Sequence, residues 1–245
     1  VVMTLNIKDK PKDGFERVVY AEEDKFNFYS VIAIHNTKRG PALGGCRYFN
    51  YQDFNKQEED VLKLAEAMTY KNSLAELPFG GGKATIHSKI NKKDAYSLFG
   101  EVLNKLNGTY ITAGDMGTVD EDLRGFREYS DHVCNPIGSD SGLGTALGVY
   151  YSMLGCVEFK FGQDSLVNKN IFIKGYGKTG SRIASLCKKD GANIEISDLE
   201  HKKDLIERDG YKFCSQLQDT SFEKIDIYSP CLLYTSDAAD EIVRV

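Results

Sequence analysis

Three observations predict an α/β fold in two parts for this 245-residue chain. Segments rich in valine, isoleucine and aromatic residues, such as RVVYAE and FYSVIAIH, alternate with stretches whose apolar residues recur at helical spacing. A G-x-G-x-x-G run at Gly175, Gly177 and Gly180 lies between a strand-like NIFIK and a helix-like SRIASLCKK. Between these regions CNPIGSDSGLGTA turns to glycine, serine, asparagine and proline, which places a domain boundary near residue 136. The expected architecture is an N-terminal α/β domain over residues 1–135, then a partial Rossmann domain over residues 136–230.

The totals narrow the function classes. A net charge of −5, from 31 basic and 36 acidic residues, supplies no basic surface for nucleic acid or an anionic membrane. No apolar run approaches the roughly 18 residues of a membrane helix. VVMTLNIKDK lacks a basic-then-apolar leader, so no secretory signal is read, and the missing Met at position 1 raises the expectation of an incomplete start. The six cysteines form no C-x-x-C pair and the four histidines no metal spacing. No metal is therefore expected, and the thiols read as reduced and mostly buried in a cytoplasmic protein.

In chain order, RVVYAE and FYSVIAIH read as strands joined by a turn at EEDK. KRGPALGG follows, and its proline and glycines read as a loop with exposed backbone N–H groups, able to approach a carboxylate. Asn55 to Leu77 reads as one helix, capped by Asn55 or Asp53, with Glu58, Glu59 and Asp60 favoured by the dipole at its start. The series 61, 64, 68, 71, 75 traces one helical face and puts Lys71 on it. Lys71 then either snorkels from the edge of that stripe or lines a cleft to pair with an anion. FGGGKATIHS is not a P-loop, because Leu77 and Ala84 stand where that motif needs glycine and a hydroxyl residue. It leaves Lys83 on a flexible glycine approach to a strand, where desolvation favours the neutral amine.

Lys92 to Leu106 reads as an amphipathic helix, and TYITAGDMGT as a strand whose polar end carries Asp115. An acid there either caps a loop or serves catalysis. VDEDLRGFREYSDHV reads as a helix covering the sheet, and Ala146 to Phe161 as another helix. In the glycine fingerprint, Gly175 permits the tight turn, Gly177 lets a pyrophosphate approach the backbone, and Gly180 allows close packing of helix on strand. Asp198 ends the next strand, 18 residues after the last glycine, where an acid binds the adenosine ribose and favours NAD over NADP.

GPALGGCR, MTYKN, GGGK, TAGDMGT and GYGKTG occur in the order and at the spacing of the glutamate/leucine/phenylalanine/valine dehydrogenase family. From about Phe15 to Pro230 the chain resembles that family, and in IAIHNTKRGPALGG its shorter leucine/phenylalanine/valine branch. The resemblance implies an N-terminal substrate domain of the dimerisation type, a homo-oligomer, and reversible NAD-dependent oxidative deamination of an apolar L-amino acid to the 2-oxo acid and ammonium. It implies that Lys71 binds the substrate carboxylate with backbone at Gly44 and Gly45. Lys83 and Asp115 become the catalytic pair, and Thr145 lies near the nicotinamide ribose. Leu43 and Ala113 match positions near the substrate side chain and favour an apolar group. Two departures stand out: Gly114 replaces the glutamate usual in leucine-type relatives, and LPFGGGK is closer to the glutamate branch. The alternatives are a glutamate-specific enzyme and a non-catalytic nucleotide-binding homologue, the latter disfavoured by Lys71, Lys83 and Asp115.

The end of the chain reads differently. CLLYTSDAADE resembles the in-frame translation of a transposase-based sequencing-library adapter, so residues 231–245 are expected to be an artefact. With half of a cofactor domain, the 245-residue chain alone is expected to be inactive or poorly folded.

Overall fold

A computed structural model describes residues 5–87, 89–134, 141–215 and 224–231, and the chain divides into two compact units, Val1–Ile137 and Gly138–Val245. The first unit begins with strands β1 (Asn6–Asp9), β2 (Arg17–Glu23) and β3 (Phe28–Asn36), an antiparallel run. A single 3₁₀ turn over Asp24–Phe26, ended by Asn27 in the left-handed region, makes the turn read from EEDK. Next come β4 (Ala42–Phe49), helix α1 (Phe54–Leu74), β5 (Gly80–His87), α2 (Lys92–Lys105), β6 (Tyr110–Gly114) and α3 (Asp120–Arg127). The six strands form one sheet in the order β1-β2-β3-β5-β4-β6. β4 is parallel to both of its neighbours, β5 and β6, while β3 and β5 are antiparallel.

Side chains alternate across this sheet, and both faces are covered. Ile32, Ile34, Ala84 and Ile86 join Leu98, Val102 and Phe126 in the core under α2 and α3. Val31 and Ala33 pack on the other face with Val61 and Ala65 of α1. Asp53 caps α1 by accepting from the Lys56 N–H. Its inward face runs Gln57, Val61, Ala65, Asn72. That face corrects the expected stripe: Lys71 is exposed, and Asn72 beside it is the buried polar residue.

Two further expectations are corrected. KRGPALGG is not a loop throughout, and GGGK is not a flexible approach, because Gly44 and Gly45 lie inside β4 and Gly80–Gly82 inside β5. The absence of Cβ atoms is used for contact. A Cβ on Gly81 would overlap the backbone of Thr69 in α1, one on Gly80 the carbonyl of Asn36, and one on Gly44 the carbonyl of Gly82. Glycine-rich sequence here marks where backbones meet within a buried sheet.

The second unit holds α4 (Ser141–Phe161), β7 (Asn170–Lys174), α5 (Gly180–Lys189), β8 (Asn193–Ser197), α6 (Lys203–Arg208), β9 (Lys212–Phe213) and β10 (Ile227–Pro230). Its sheet is parallel throughout, in the order β10-β7-β8-β9. This is one half of a doubly wound sheet, with the reversal of strand order between β7 and β10. Met153 and Val157 of α4 and Ile183, Ala184 and Cys187 of α5 pack on Ile171, Ile173 and Ile196.

Cys231 continues β10, its N–H bonded to the Lys174 carbonyl at 2.7 Å, whereas the rest of the adapter-like string lies outside the described residues. None of the six cysteines is in a disulfide; Cys46, Cys187 and Cys214 are buried and Cys134 is exposed. Among the described residues no helix is long and apolar enough to cross a membrane, and no group of three or more potential metal ligands occurs.

Candidate active site

In the first unit the sheet collects charged side chains on the face that α1 covers. β5 brings Lys83 to this face, since it pairs with Ala33, which packs against α1. Leu43, Gly45 and Arg47 of β4 share it by alternation, as does Ala113, which pairs with Gly45. β6 then releases the chain at Asp115. Gly45 makes this approach possible: a Cβ there would come within 2.6 Å of the Gly114 carbonyl and 2.7 Å of the Asp115 Cβ.

Lys83 is buried, with 7% of its side chain exposed, and its Nζ lies 2.9 Å from Oδ2 of Asp115. The same oxygen accepts from Nε of Arg47 at 3.0 Å. Arg47 turns its Nη1 onto both oxygens of Asp60 in α1, at 2.9 and 2.8 Å, and the Tyr51 hydroxyl donates to Asp60 Oδ2 at 2.7 Å. The backbone of Asp115 is fixed too. Its N–H donates to Thr118 Oγ1 at 2.8 Å, and that hydroxyl donates to the Cys46 carbonyl at 2.7 Å. Burial pushes the Asp115 carboxyl upward, but the charges of Lys83 and Arg47 outweigh it and hold the group below the usual carboxylate range.

Lys83 and Asp115 are thus brought together, with Leu43 and Ala113 on the same sheet face. Lys71 is exposed and makes no ion pair among the described residues. Gly44 and Gly45 are buried in the sheet, with the Gly44 carbonyl accepting from the Tyr110 hydroxyl at 2.7 Å. Sequence reasoning missed Arg47, Asp60, Tyr51 and Asn72. No local signal marked Arg47, because the glycine-rich run before it reads as a loop. Asn72 fastens α1 to both glycine-bearing strands, donating to the Leu43 and Gly80 carbonyls at 3.3 and 2.6 Å.

In the second unit the fingerprint glycines form the turn between β7 and α5. Gly175 has φ +112°, which favours glycine, and a Cβ on Gly180 would overlap the Gly175 carbonyl. A Cβ on Gly177 would meet nothing within 4 Å, so the backbone there is open to a ligand at the N-terminus of α5. Tyr176 is buried and donates through its hydroxyl to Asp209 at 2.8 Å. Asp198 stands at the end of β8, with its side chain 2% exposed. Its carboxylate accepts from the N–H groups of Tyr176 and Leu199, at 2.5 and 2.7 Å, and from Lys202 at 3.0 Å. Burial raises the Asp198 carboxyl, and these donors bring it below the usual range. Thr145 is exposed on α4. The open backbone at Gly177 and the close packing at Gly180 fit the glycine turn of a dinucleotide site, whereas the Asp198 carboxylate is taken up by Tyr176, Leu199 and Lys202.

Residues 16–131 match the family model described as Glu/Leu/Phe/Val dehydrogenase, dimerisation domain. The chain is 36% identical over 242 residues to a phenylalanine dehydrogenase of Thermoactinomyces intermedius, covering 93% of this chain and 66% of that protein. It is 35% identical over 245 residues to a leucine dehydrogenase of Bacillus subtilis (strain 168), covering 96% and 67%. Among solved structures it is similar to an L-tryptophan dehydrogenase from Nostoc punctiforme, with TM-score 0.67 and 26% identity, covering 89% of this chain and 64% of that one. The chain therefore spans about two thirds of the length of these relatives.

Proposed function

This chain belongs to the Glu/Leu/Phe/Val dehydrogenase family, and on that premise we propose that it carries the catalytic domain of an NAD-dependent amino-acid dehydrogenase. The reaction is the reversible oxidative deamination of an apolar L-amino acid, of the leucine, valine or phenylalanine type, to its 2-oxo acid and ammonium. Residues 1–135 form the substrate and catalytic domain, and residues 136–230 the dinucleotide-binding part. The protein works in the cytoplasm as a homo-oligomer.

The observation that carries this reading is the buried Lys83–Asp115 pair on the sheet face that also holds Leu43 and Ala113. Asp115 takes the proton from the substrate amino group and later returns one to the departing ammonia. Lys83 accepts a proton from the water that attacks the substrate carbon. Lys71 supplies a cation for the substrate carboxylate, and Leu43 and Ala113 offer apolar surface to the side chain. A bound nicotinamide supplies the hydride acceptor. Gly175, Gly177 and Gly180 would hold the pyrophosphate, Thr145 would lie by the nicotinamide ribose, and Asp198 would favour NAD at the adenosine ribose.

The test is NADH formation by the complete gene product that contains this chain, against L-leucine, L-valine, L-phenylalanine and L-glutamate. Turnover of the apolar set above glutamate is expected, and Lys83→Ala should remove it. A glutamate preference, or Lys83→Ala at full rate, overturns the reading.

A further inference from the structure

Asp115 touches two cations through one oxygen. Oδ2 takes both Lys83 Nζ and Arg47 Nε, while Oδ1 accepts from no side chain among the described residues. Of the two cations only one can change state, because a guanidinium stays charged at any working pH whereas an ammonium does not. Were Lys83 the sole partner, the half-buried Asp115 carboxylate would depend on one ammonium for its compensating charge. Arg47 adds a second cation whose charge is permanent. It is itself held from behind by Nη1, which donates to both oxygens of Asp60, whose second constraint is the Tyr51 hydroxyl.

We propose, resting on the deamination reading, that Arg47 is a positioning residue: it grips Oδ2 and keeps Asp115 ionised beside Lys83, leaving Oδ1 to exchange protons with the substrate nitrogen. Asp60 and Tyr51 set how much of the Arg47 charge Asp115 feels. The other groups facing the pair do not compete. The Cys46 thiol and the Tyr110 phenol are pushed up by burial and stay neutral. Asp122 of α3 is occupied by Lys92 at 2.8 Å. His87, further along β5, is held neutral by burial.

Opposite signs follow for two variants. Arg47→Met withdraws a cation from Asp115, so its carboxyl holds a proton to higher pH. Asp60→Asn leaves the full guanidinium charge on Asp115, so its carboxyl releases the proton at lower pH. At this spacing each displacement is on the order of one pH unit. The readout is the carboxyl NMR titration of Asp115 in the complete gene product, which requires no turnover. The same displacements are expected in the ascending limb of kcat/KM for deamination, and Arg47→Lys should restore only part of the limb.

Asp115 titration midpoints that stay in place, or that move in one direction for both variants, overturn the proposal. A packing role alone would alter stability and leave both midpoints unmoved. If Arg47→Met does not fold, Asp60→Asn decides: an unshifted midpoint sinks the idea. Opposed midpoint shifts in a protein that deaminates no amino acid would instead remove the functional reading and leave the electrostatic role of Arg47 standing.

Discussion

The two glycine-rich runs of this chain do different physical work. In β5, Gly80, Gly81 and Gly82 are buried strand residues whose missing Cβ atoms let α1, Asn36 and Tyr110 close onto the backbone. In the turn after β7, Gly175 supplies a backbone conformation, Gly180 a close contact, and Gly177 open space. The first run creates contact within the protein, while the second also keeps a surface clear for something outside it. Composition does not separate these uses; the surrounding elements do.

Four experiments test that contrast and the site beside it. Gly81→Ala forces a methyl into the Thr69 backbone and should cost about 3 kcal/mol, read from urea denaturation; a loss near zero would show that α1 can move away. Gly180→Ala meets a single carbonyl in a turn and should cost about 2 kcal/mol. A greater loss than for Gly81→Ala would reverse the ranking of strand and turn.

The third experiment concerns acid. The Asp115 carboxyl in the folded chain lies below its unfolded value of about 3.9. A depressed acid adds stability above its unfolded value and loses it as pH falls through the folded one. Below about pH 4 the parent chain should therefore lose urea resistance more steeply than Asp115→Asn, and equal slopes would rule this out. Gly177→Ala closes the series. Its methyl enters empty space, so stability should change by less than about 0.5 kcal/mol. Affinity for NAD, by calorimetry with the complete gene product, should fall roughly tenfold because the pyrophosphate needs that space; unchanged affinity would place the dinucleotide elsewhere.

Much of the fold was legible because its signals are local. Asp53 is the helix cap it reads as, and RVVYAE and FYSVIAIH are strands. The strand–turn–helix around Gly175 follows from spacing alone. The site was legible only in part. Lys83 and Asp115 could be singled out, but 32 positions separate them in sequence, and only strand pairing brings them within 2.9 Å. Arg47 was hidden because a charged residue in a glycine-rich run reads as loop surface, and its partner Asp60 looks like a dipole-friendly acid near a helix start. Lys71 was misplaced by one residue: the true face of α1 is fixed by what Gln57 and Asn72 hydrogen-bond, which periodicity does not register.

The strand order has a kinetic consequence. β3 and β4 are neighbours in the chain, yet β5 lies between them in the sheet. The β2–β3 hairpin can close locally, whereas β4 gains its partners only when β5 and β6 arrive from later in the sequence. Lys83, Arg47 and Asp115 sit on those three strands or directly beyond them, so the contacts of Lys83 and Arg47 with Asp115 wait on a non-local loop closure, the slow kind of folding event. The ion network that marks the site is therefore assembled late, and its formation in a refolding experiment would time the final docking of the sheet.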